Sequence, residues 1–405
     1  MFQHKNAYPV VLVPGLTGYG EGSKMDKILP HFGMTATSAK KVINDMGLPC
    51  YTASFNSVSG VWDRACELYA QIVGGTVDYG VVHSQKYGHK RFGKTYLTPM
   101  VPNWGELSAD GKLVKLTLIA SGFGAPVARL FAYLMAYGSP EESAATAKDQ
   151  LSGLFYGGYG ELIHCVTTLS GINGGITTFQ ALEDKMPGAQ KKIIKAFIAA
   201  EEMKNRKEFL DLAYAQKTLK VTQYDLSMSI ENVSEKDPYG SITFDEAAID
   251  KYMSMTEGNI FYEMSIPGMA EFNNRIAPLP NTFYLSFTGS VTKKLFNRFT
   301  LPFKGAGVLA PISAFISTYE NYYEDKPYAT PVYHENDGLI NTESSLAPVS
   351  EPAVGFSSVE KCNPGLWYQM PVENRNHLSF LGFLERPDHY RNYIYDLIKT
   401  ISSLE

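Results

Sequence analysis

Residues 116–125, LTLIASGFGA, are an apolar run that ends in a cluster of small residues. The part before Ala120 suits a buried parallel strand, since such strands carry near-continuous apolar side chains. Pro126 follows at once, in the apolar stretch APVARLFAYLMAYG. In the first turn of a helix its missing N–H breaks no hydrogen bond. This part of the chain therefore predicts a strand, a tight turn and a helix.

The small residues indicate where this turn has its apex. In a G-x-S-x-G turn the central residue is strained, and the positions two before and two after it must be small so that strand and helix can pass closely. Ala120 and Gly124 meet this requirement if the apex is Gly122. An apex at Ser121 would place two bulky side chains at the crowded positions. The stretch alone is equally compatible with an ordinary glycine-rich turn.

Four other segments identify a family. They are residues 8–20, YPVVLVPGLTGYG; residues 59–96, SGVWDRACELYAQIVGGTVDYGVVHSQKYGHKRFGKTY; residues 333–342, YHENDGLINT; and residues 374–380, NRNHLSF. In this order they resemble the large zinc-containing lipases of thermophilic bacilli and staphylococci, over most of the chain. The resemblance implies an α/β-hydrolase fold, with a mostly parallel central sheet flanked by helices.

The resemblance also implies a domain organisation. Residues 1–405 would form a single α/β-hydrolase domain. Within it, residues 61–110 would be a zinc-binding insertion and residues 179–260 a helical, lid-like insertion.

The resemblance places a catalytic triad on Gly122, Asp337 and His377, with the backbone N–H groups of Leu16 and Phe123 at an oxyanion hole. Without the resemblance, Asp337 would be a turn residue of N-D-G and His377 a loop histidine. Glycine has no hydroxyl, so no acyl-enzyme can form on it. Losing a serine nucleophile costs about 10⁶ in turnover and leaves roughly 10³ to 10⁴ over water. We therefore predict a lipase-like protein without hydrolase activity, in which the triad is a relic.

The resemblance implies a second site, a zinc ion held by Asp63, His83, His89 and Glu257. Glutamate keeps the carboxylate ligand type of the aspartate found there in the family. Four protein ligands leave no open position for a substrate, so this zinc would be structural. The histidine pair alone is weak evidence, because surface histidines at such spacing are common.

Calcium is not expected. The family's acidic calcium ligands correspond to Ser379 and Leu384, and neither side chain coordinates a hard cation well.

Composition limits the setting. The net charge of −5 comes without a basic run, so we expect no nucleic-acid partner. The apolar run PVVLVPGL is too short for a transmembrane segment. The first strand follows Met1 closely and the four cysteines form no C-x-x-C pair, so we expect a cytoplasmic protein. The alternative is an exported protein whose mature form begins with a new start methionine.

Three functions remain open at this point. The first is a structural subunit that assembles into an oligomer, filament or lattice. We favour it because the chain lacks the nucleophile and the calcium ligands of the family but keeps those of the zinc, which suggests that the scaffold matters more than the reaction. The 26 Tyr and 22 Phe suit interfaces and equally suit a core. The second is a lipid or acyl-chain binding protein that uses the old cleft. The third is a weak carboxylester hydrolase that uses Ser121 or an activated water.

Overall fold

The fold is organised around a central parallel sheet. The computed structural model describes residues 4–21, 23–203, 218–220, 223–231, 241–295, 299–323, 326–329 and 331–405. In this part of the chain the sheet has seven strands, and every pairing between neighbours is parallel. In chain order these strands are β1 Val10–Val13, β2 Cys50–Thr52, β5 Leu116–Gly122, β6 Ile163–Gly171, β10 Phe283–Phe287, β15 Ala353–Gly355 and β16 Trp367–Gln369. Their spatial order across the sheet is β15-β16-β10-β6-β5-β1-β2.

The described helices have the following bounds: α1 Lys24–Ile28, α2 Ala39–Asp45, α3 Val61–Val73, α4 Val81–Tyr87, α5 Gly124–Tyr137, α6 Pro140–Ala145, α7 Thr178–Lys185, α8 Ala189–Met203, α9 Glu246–Met253, α10 Ile260–Met264, α11 Ile266–Arg275, α12 Ala310–Ile316, α13 Thr342–Ser345 and α14 Pro387–Ile401. None of them is long and apolar enough to cross a lipid bilayer.

Apolar side chains alternate between the two faces of the sheet and so build two cores. Val11 and Leu118 pack into a core that also contains side chains of α3 and α5. Leu12 and Ile119 point to the opposite face, into a core shared with α2 and α14. All residues of β5 and β6 are buried, as expected for strands covered on both sides. The predicted α/β class with a mostly parallel sheet is therefore confirmed.

The first predicted insertion, residues 61–110, contains α3, α4 and an antiparallel hairpin of β3 Gly75–Asp78 and β4 Phe92–Tyr96. It supplies Asp63, His83 and His89 from elements that are close together in sequence. Its binding of zinc stays a prediction.

The second predicted insertion, residues 179–260, is less helical than expected. It includes α8 and α9, but its described residues also form an antiparallel sheet of β7 Thr218–Lys220, β8 Ser227–Glu231 and β9 Ser241–Phe244. Residues 204–217, 221–222 and 232–240 of the predicted lid lie outside the described part. The stretches SMSIE and SITF alternate polar and apolar side chains, which favours strands over helices. Two further antiparallel hairpins pair β11 Thr292–Leu295 with β12 Phe299–Pro302 and β13 Asn321–Tyr323 with β14 Lys326–Ala329.

Candidate functional site

Gly122 is the last residue of β5, and α5 begins two residues later at Gly124. Its φ of +50° lies in the left-handed region, which glycine adopts without steric cost. A Cβ on Gly122 would lie 3.3 Å from Cε1 and 3.4 Å from Nε2 of His377. A Cβ on Gly124 would lie 2.4 Å from the carbonyl oxygen of Val13, so no side chain fits there. Gly122 is therefore the apex of the turn, and it faces the imidazole.

Asp337 and His377 are paired in the manner of a triad. Nδ1 of His377 lies 3.1 Å from Oδ2 of Asp337, and the N–H of His377 donates to the backbone oxygen of Asp337 at 3.0 Å. Oδ1 of Asp337 accepts the N–H groups of Leu339 at 3.0 Å and Ile340 at 2.7 Å. The carboxyl group is fully buried. This arrangement orients the imidazole so that Nε2 faces Gly122.

Ser170 is a further partner of Asp337 that the sequence analysis did not identify. It is buried near the end of β6, and its hydroxyl donates to Oδ2 of Asp337. Its φ of +44° is costly for a residue with a Cβ. No motif marks this serine, because the contact joins positions 167 residues apart.

The predicted oxyanion loop lies against the start of α5. A Cβ on Gly15 would lie 3.6 Å from the backbone nitrogen of Phe123. In the described part of the chain, the N–H groups of Leu16 and Phe123 have no protein acceptor. The guanidinium of Arg64, fully buried on α3, donates to the carbonyl oxygens of Gly15 and Leu16, each at 2.9 Å. Two backbone donors are thus available beside the apex on a loop that is held from behind.

His31 is a further buried imidazole near this site. Its ring packs edge-on to Tyr19 of the same loop region, with 5.8 Å between the ring centroids. Burial lowers the pKa of His31 to about 3, with a smaller contribution from His377. Its Nε2 has no hydrogen-bond partner among the described residues. No sequence motif singles it out.

Ser121, the alternative nucleophile, is buried and precedes the apex. Its Oγ makes no hydrogen bond within the described part of the chain. Successive side chains of a strand point to opposite faces, so Ser121 points away from the face that Gly122 presents to His377.

Asp63, His83 and His89 form a cluster whose ligand atoms all lie within 4.8 Å of one another. Nε2 of His83 lies 3.2 Å and Nε2 of His89 lies 3.9 Å from Oδ1 of Asp63. Nδ1 of His89 donates to the backbone oxygen of Lys90 at 2.9 Å, which leaves a lone pair on Nε2. That buried Nε2 has no hydrogen-bond partner in the described residues.

The protonation states of this cluster suit a cation. Burial raises the pKa of Asp63, but the hydrogen bond from His83 and the charges of both histidines outweigh it, so the pKa lies below its ordinary value. Burial lowers the pKa of His89, which favours the neutral imidazole. An ionised carboxylate and a neutral imidazole are the forms that ligate metals.

Glu257, the fourth predicted ligand, is not part of this cluster. Its carboxylate accepts the hydroxyl of Tyr87 and lies 3.4 Å from Arg275 and 3.8 Å from Lys86. The carboxylate of Glu257 lies there because the positive charges of Arg275 and Lys86 attract it.

The family resemblance matches calcium ligands to Ser379 and Leu384, and neither of these side chains is acidic. Ser379 is buried in a 3-10 helix, and its N–H donates to Asn376 at 2.9 Å. Leu384 is exposed, with a φ of +55°.

Comparisons of sequence find relatives over nearly the whole chain. A sequence model of the family described as "Lipase-like, C-terminal domain" matches residues 6–393. Lipase 2 of Staphylococcus aureus is 28% identical over 411 aligned residues, which cover 98% of this chain and 55% of that protein. Lipase 1 of Staphylococcus aureus is 25% identical, with the same two coverages. The chain spans about half the length of the curated relatives it matches.

Solved structures give the same result. EstA from Clostridium botulinum superposes with a TM-score of 0.77 at 28% identity, covering 100% of this chain and 90% of that one. Lipase 1 from Pelosinus fermentans gives 0.71 at 26% identity, with 97% and 98% covered. Staphylococcus hyicus lipase gives 0.72 at 22% identity, with 99% and 98% covered, and supports the fold alone.

Proposed function

The chain belongs to the lipase-like, C-terminal domain family, and from this premise we propose that it binds acyl-chain lipids in a lipase-type cleft without forming a covalent intermediate. The relatives are named lipases, so lipids with acyl chains are the ligand class carried over to this chain.

A single observation carries this proposal. The apex residue Gly122 faces Nε2 of His377 and has no side chain to attack a carbonyl carbon. The surrounding groups support the proposal: a buried carboxylate, an imidazole oriented by it, and the backbone N–H groups of Leu16 and Phe123, which have no protein acceptor among the described residues. Binding and polarisation of a carbonyl group require only these parts, whereas an acyl-enzyme requires a hydroxyl or thiol.

An esterase assay tests the absence of covalent catalysis. Turnover of short and long p-nitrophenyl esters should stay close to that of a His377→Ala variant, because the imidazole has no hydroxyl to activate, and a serine-directed phosphonate should label nothing. A fast rate that the phosphonate abolishes would contradict the proposal. A slow rate that needs His377 but resists the phosphonate would instead indicate a water molecule activated by the imidazole, which is the one hydrolytic alternative that the geometry favours.

We further propose that Asp63, His83 and His89 hold a structural zinc ion. One carboxylate and two imidazoles fit zinc, and the partnerless Nε2 of His89 is the donor that such an ion would satisfy. Glu257 can become the fourth ligand only by giving up Tyr87 and Arg275. The ion would bind α3 to α4 and the residues that follow, which stabilises the fold.

Metal analysis tests the zinc proposal. Protein purified without chelator should contain about one zinc per chain, and His83→Ala should lose the ion and melt at a lower temperature. The exposed His389 on α14 offers a matched control, because His389→Ala should change neither value. Zinc-free protein, or unchanged melting of His83→Ala, would contradict the proposal.

The structural, self-assembling role stays a second prediction. The names of the relatives favour a ligand-binding cleft over an assembly role. Light scattering of the native protein would distinguish a monomer from an oligomer or filament.

A further inference from the structure

Because Gly122 has no side chain, a ligand atom can occupy the place where a serine hydroxyl would lie. In a triad, the serine hydroxyl lies between the imidazole and the oxyanion donors. A Cβ on Gly122 would lie 3.4 Å from Nε2 of His377. A ligand oxygen atom near that place would therefore be within hydrogen-bonding reach of Nε2. The nearest other side-chain atom to such a Cβ is Cδ1 of Ile340, at 3.8 Å. Nε2 of His377 is the polar group at this position.

A second oxygen atom has its own donors close by. The N–H groups of Leu16 and Phe123 have no protein acceptor among the described residues, and the start of α5 adds the positive end of a helix dipole. Arg64 fixes the carbonyl groups of Gly15 and Leu16, which keeps this loop in place. The site therefore offers two adjacent places for oxygen, one at the imidazole and one at the backbone donors.

Segments next in sequence to these polar groups, or bonded to their neighbours, carry exposed aliphatic side chains. Helix α1 follows the oxyanion loop and exposes Met25 and Ile28, the latter at 78%. On the other side, Asn376 next to His377 donates to the carbonyl oxygen of Gly305 at 3.0 Å, and that segment exposes Val308. Exposed aliphatic side chains on segments that flank the polar site suit a ligand with one polar end and a hydrocarbon tail.

We propose that the ligand of this cleft is a free aliphatic carboxylic acid, bound in preference to its esters; this inference rests on the proposed lipid-binding function. One carboxyl oxygen takes the place of the serine hydroxyl at Nε2 of His377, and the other accepts the N–H groups of Leu16 and Phe123. The acid gives its proton to Nε2, so a carboxylate and an imidazolium form and no bond to carbon is broken.

An ester lacks the two features of a carboxylic acid that favour binding at this site. It carries no transferable proton and no charge, and its alkoxy oxygen bears a carbon group that would be pressed against the imidazole. Hydrogen bonds between two charged partners are roughly twice as strong as neutral ones. In a lipase with a serine at the apex, the hydroxyl would occupy the same place and exclude the second carboxyl oxygen. Substitution of that serine by glycine therefore changes the preferred ligand from ester to acid.

A binding series with the full-length chain tests this inference. Calorimetry with dodecanoic acid, methyl dodecanoate and dodecanol should give a dissociation constant for the acid at least about tenfold lower than for the other two. His377→Ala should remove this preference, whereas the exposed control His389→Ala should keep it. Gly122→Ser should weaken binding of the acid about tenfold and leave binding of dodecanol unaffected.

A spectroscopic measurement covers the case in which a variant does not fold. The carbon-13 resonance of carboxyl-labelled dodecanoic acid should move on binding to the unaltered chain, with a magnetisation transfer to the ring of His377. Equal affinities for acid and ester, a preference that survives His377→Ala, or a bound carboxyl group without that transfer would overturn the inference and leave the proposed function intact. If none of the three ligands binds, the proposed function itself fails.

Discussion

Among the three residues of the predicted triad, Asp337 has the most complete set of hydrogen-bond partners. Asp337 accepts two backbone N–H groups, the hydroxyl of Ser170 and the imidazole of His377. A buried carboxylate with all these donors avoids the cost of unsatisfied charge. Ser170 donates this hydrogen bond while its backbone is in the left-handed region. That conformation costs about 1–3 kcal/mol, which the surrounding contacts must offset. Asp337 and His377 are therefore held in a triad-like pair, whereas Gly122 contributes no side chain.

The change Gly122→Ser should restore the missing hydroxyl at a cost in stability. A Cβ at a φ of +50° and 3.3 Å from the ring of His377 should destabilise the fold by about 1–3 kcal/mol, so the melting temperature should fall. The new hydroxyl would be next to an imidazole backed by Asp337, which should give phosphonate labelling at residue 122. Calorimetry and mass spectrometry measure the two effects.

Gly122→Ala is the matched control, since it adds the Cβ without the hydroxyl. It should destabilise to a similar degree and never become labelled. A serine variant as stable as the parent protein would show that Gly122 is not the strained apex. A destabilised serine variant without labelling would show that His377 cannot activate a hydroxyl there.

At the scale of elements, helix α3 connects the two candidate sites. Its first turn carries Asp63 of the candidate metal cluster, and the next residue, Arg64, donates to carbonyl groups of the predicted oxyanion loop. Glu67 and Gln71 on the same helix are also buried and hydrogen-bonded. A helix with this many buried polar side chains is placed by specific partners as well as by its apolar face. The position of the oxyanion loop and that of the metal cluster therefore depend on the same element.

Arg64→Lys should loosen the oxyanion loop while keeping the charge. The guanidinium donates to five backbone oxygens, those of Ser59, Gly15, Leu16, Asn56 and Ser57, and an ammonium group has only three donors in a different geometry. We expect a loss of about 2–4 kcal/mol in the free energy of unfolding, because at least two buried carbonyl groups lose a charged donor.

Hydrogen exchange resolved by residue checks this expectation. Exchange should become faster at residues 15–20 and 56–60, and more slowly exchanging amides of the central sheet should change less. The exposed Arg386 provides the control, as Arg386→Lys should leave both regions unchanged. An Arg64→Lys protein with unchanged exchange in the loop would contradict the assigned role.

Across the molecule, the sequence predicted those structural features that depend on local patterns of residues. The strand, turn and helix around Gly122 follow from the spacing of small residues, and the pairing of Asp337 with His377 follows from the family resemblance. Contacts between distant positions were beyond reach, as for Ser170 with Asp337 and for Arg64 with the oxyanion loop. The placement of Glu257 depends on which neighbours compete for its carboxylate, and local sequence does not determine that.

Buried ionisable groups give the folded molecule a distinct dependence on pH. Burial, with Asp63, raises the pKa of Glu67 to about 7, and burial raises that of Glu263 to about 8, from an ordinary 4.5. Burial lowers the pKa of His31 to about 3 and that of His164 to about 4, from 6.5. Stability from the two glutamic acids is fully present below pH 4.5 and is lost as the pH rises to about 7–8. Stability from the two histidines is present above pH 6.5 and is lost as the pH falls to about 3–4.

Between about pH 4.5 and 6.5 the two dependences offset each other, because the folded chain binds two extra protons at the glutamic acids while the unfolded chain binds two at the histidines. We therefore expect the free energy of unfolding, measured with urea, to be nearly level in this range and to decline on both sides. Glu67→Gln should make this level range rise with pH by about 1.4 kcal/mol per pH unit, because the amide carries no proton to lose and one histidine is then no longer offset. Glu106→Gln, at an exposed position, should leave the curve unchanged. Stability that rises steadily from pH 6.5 to 9 would show that the buried glutamic acids are ionised in the native molecule.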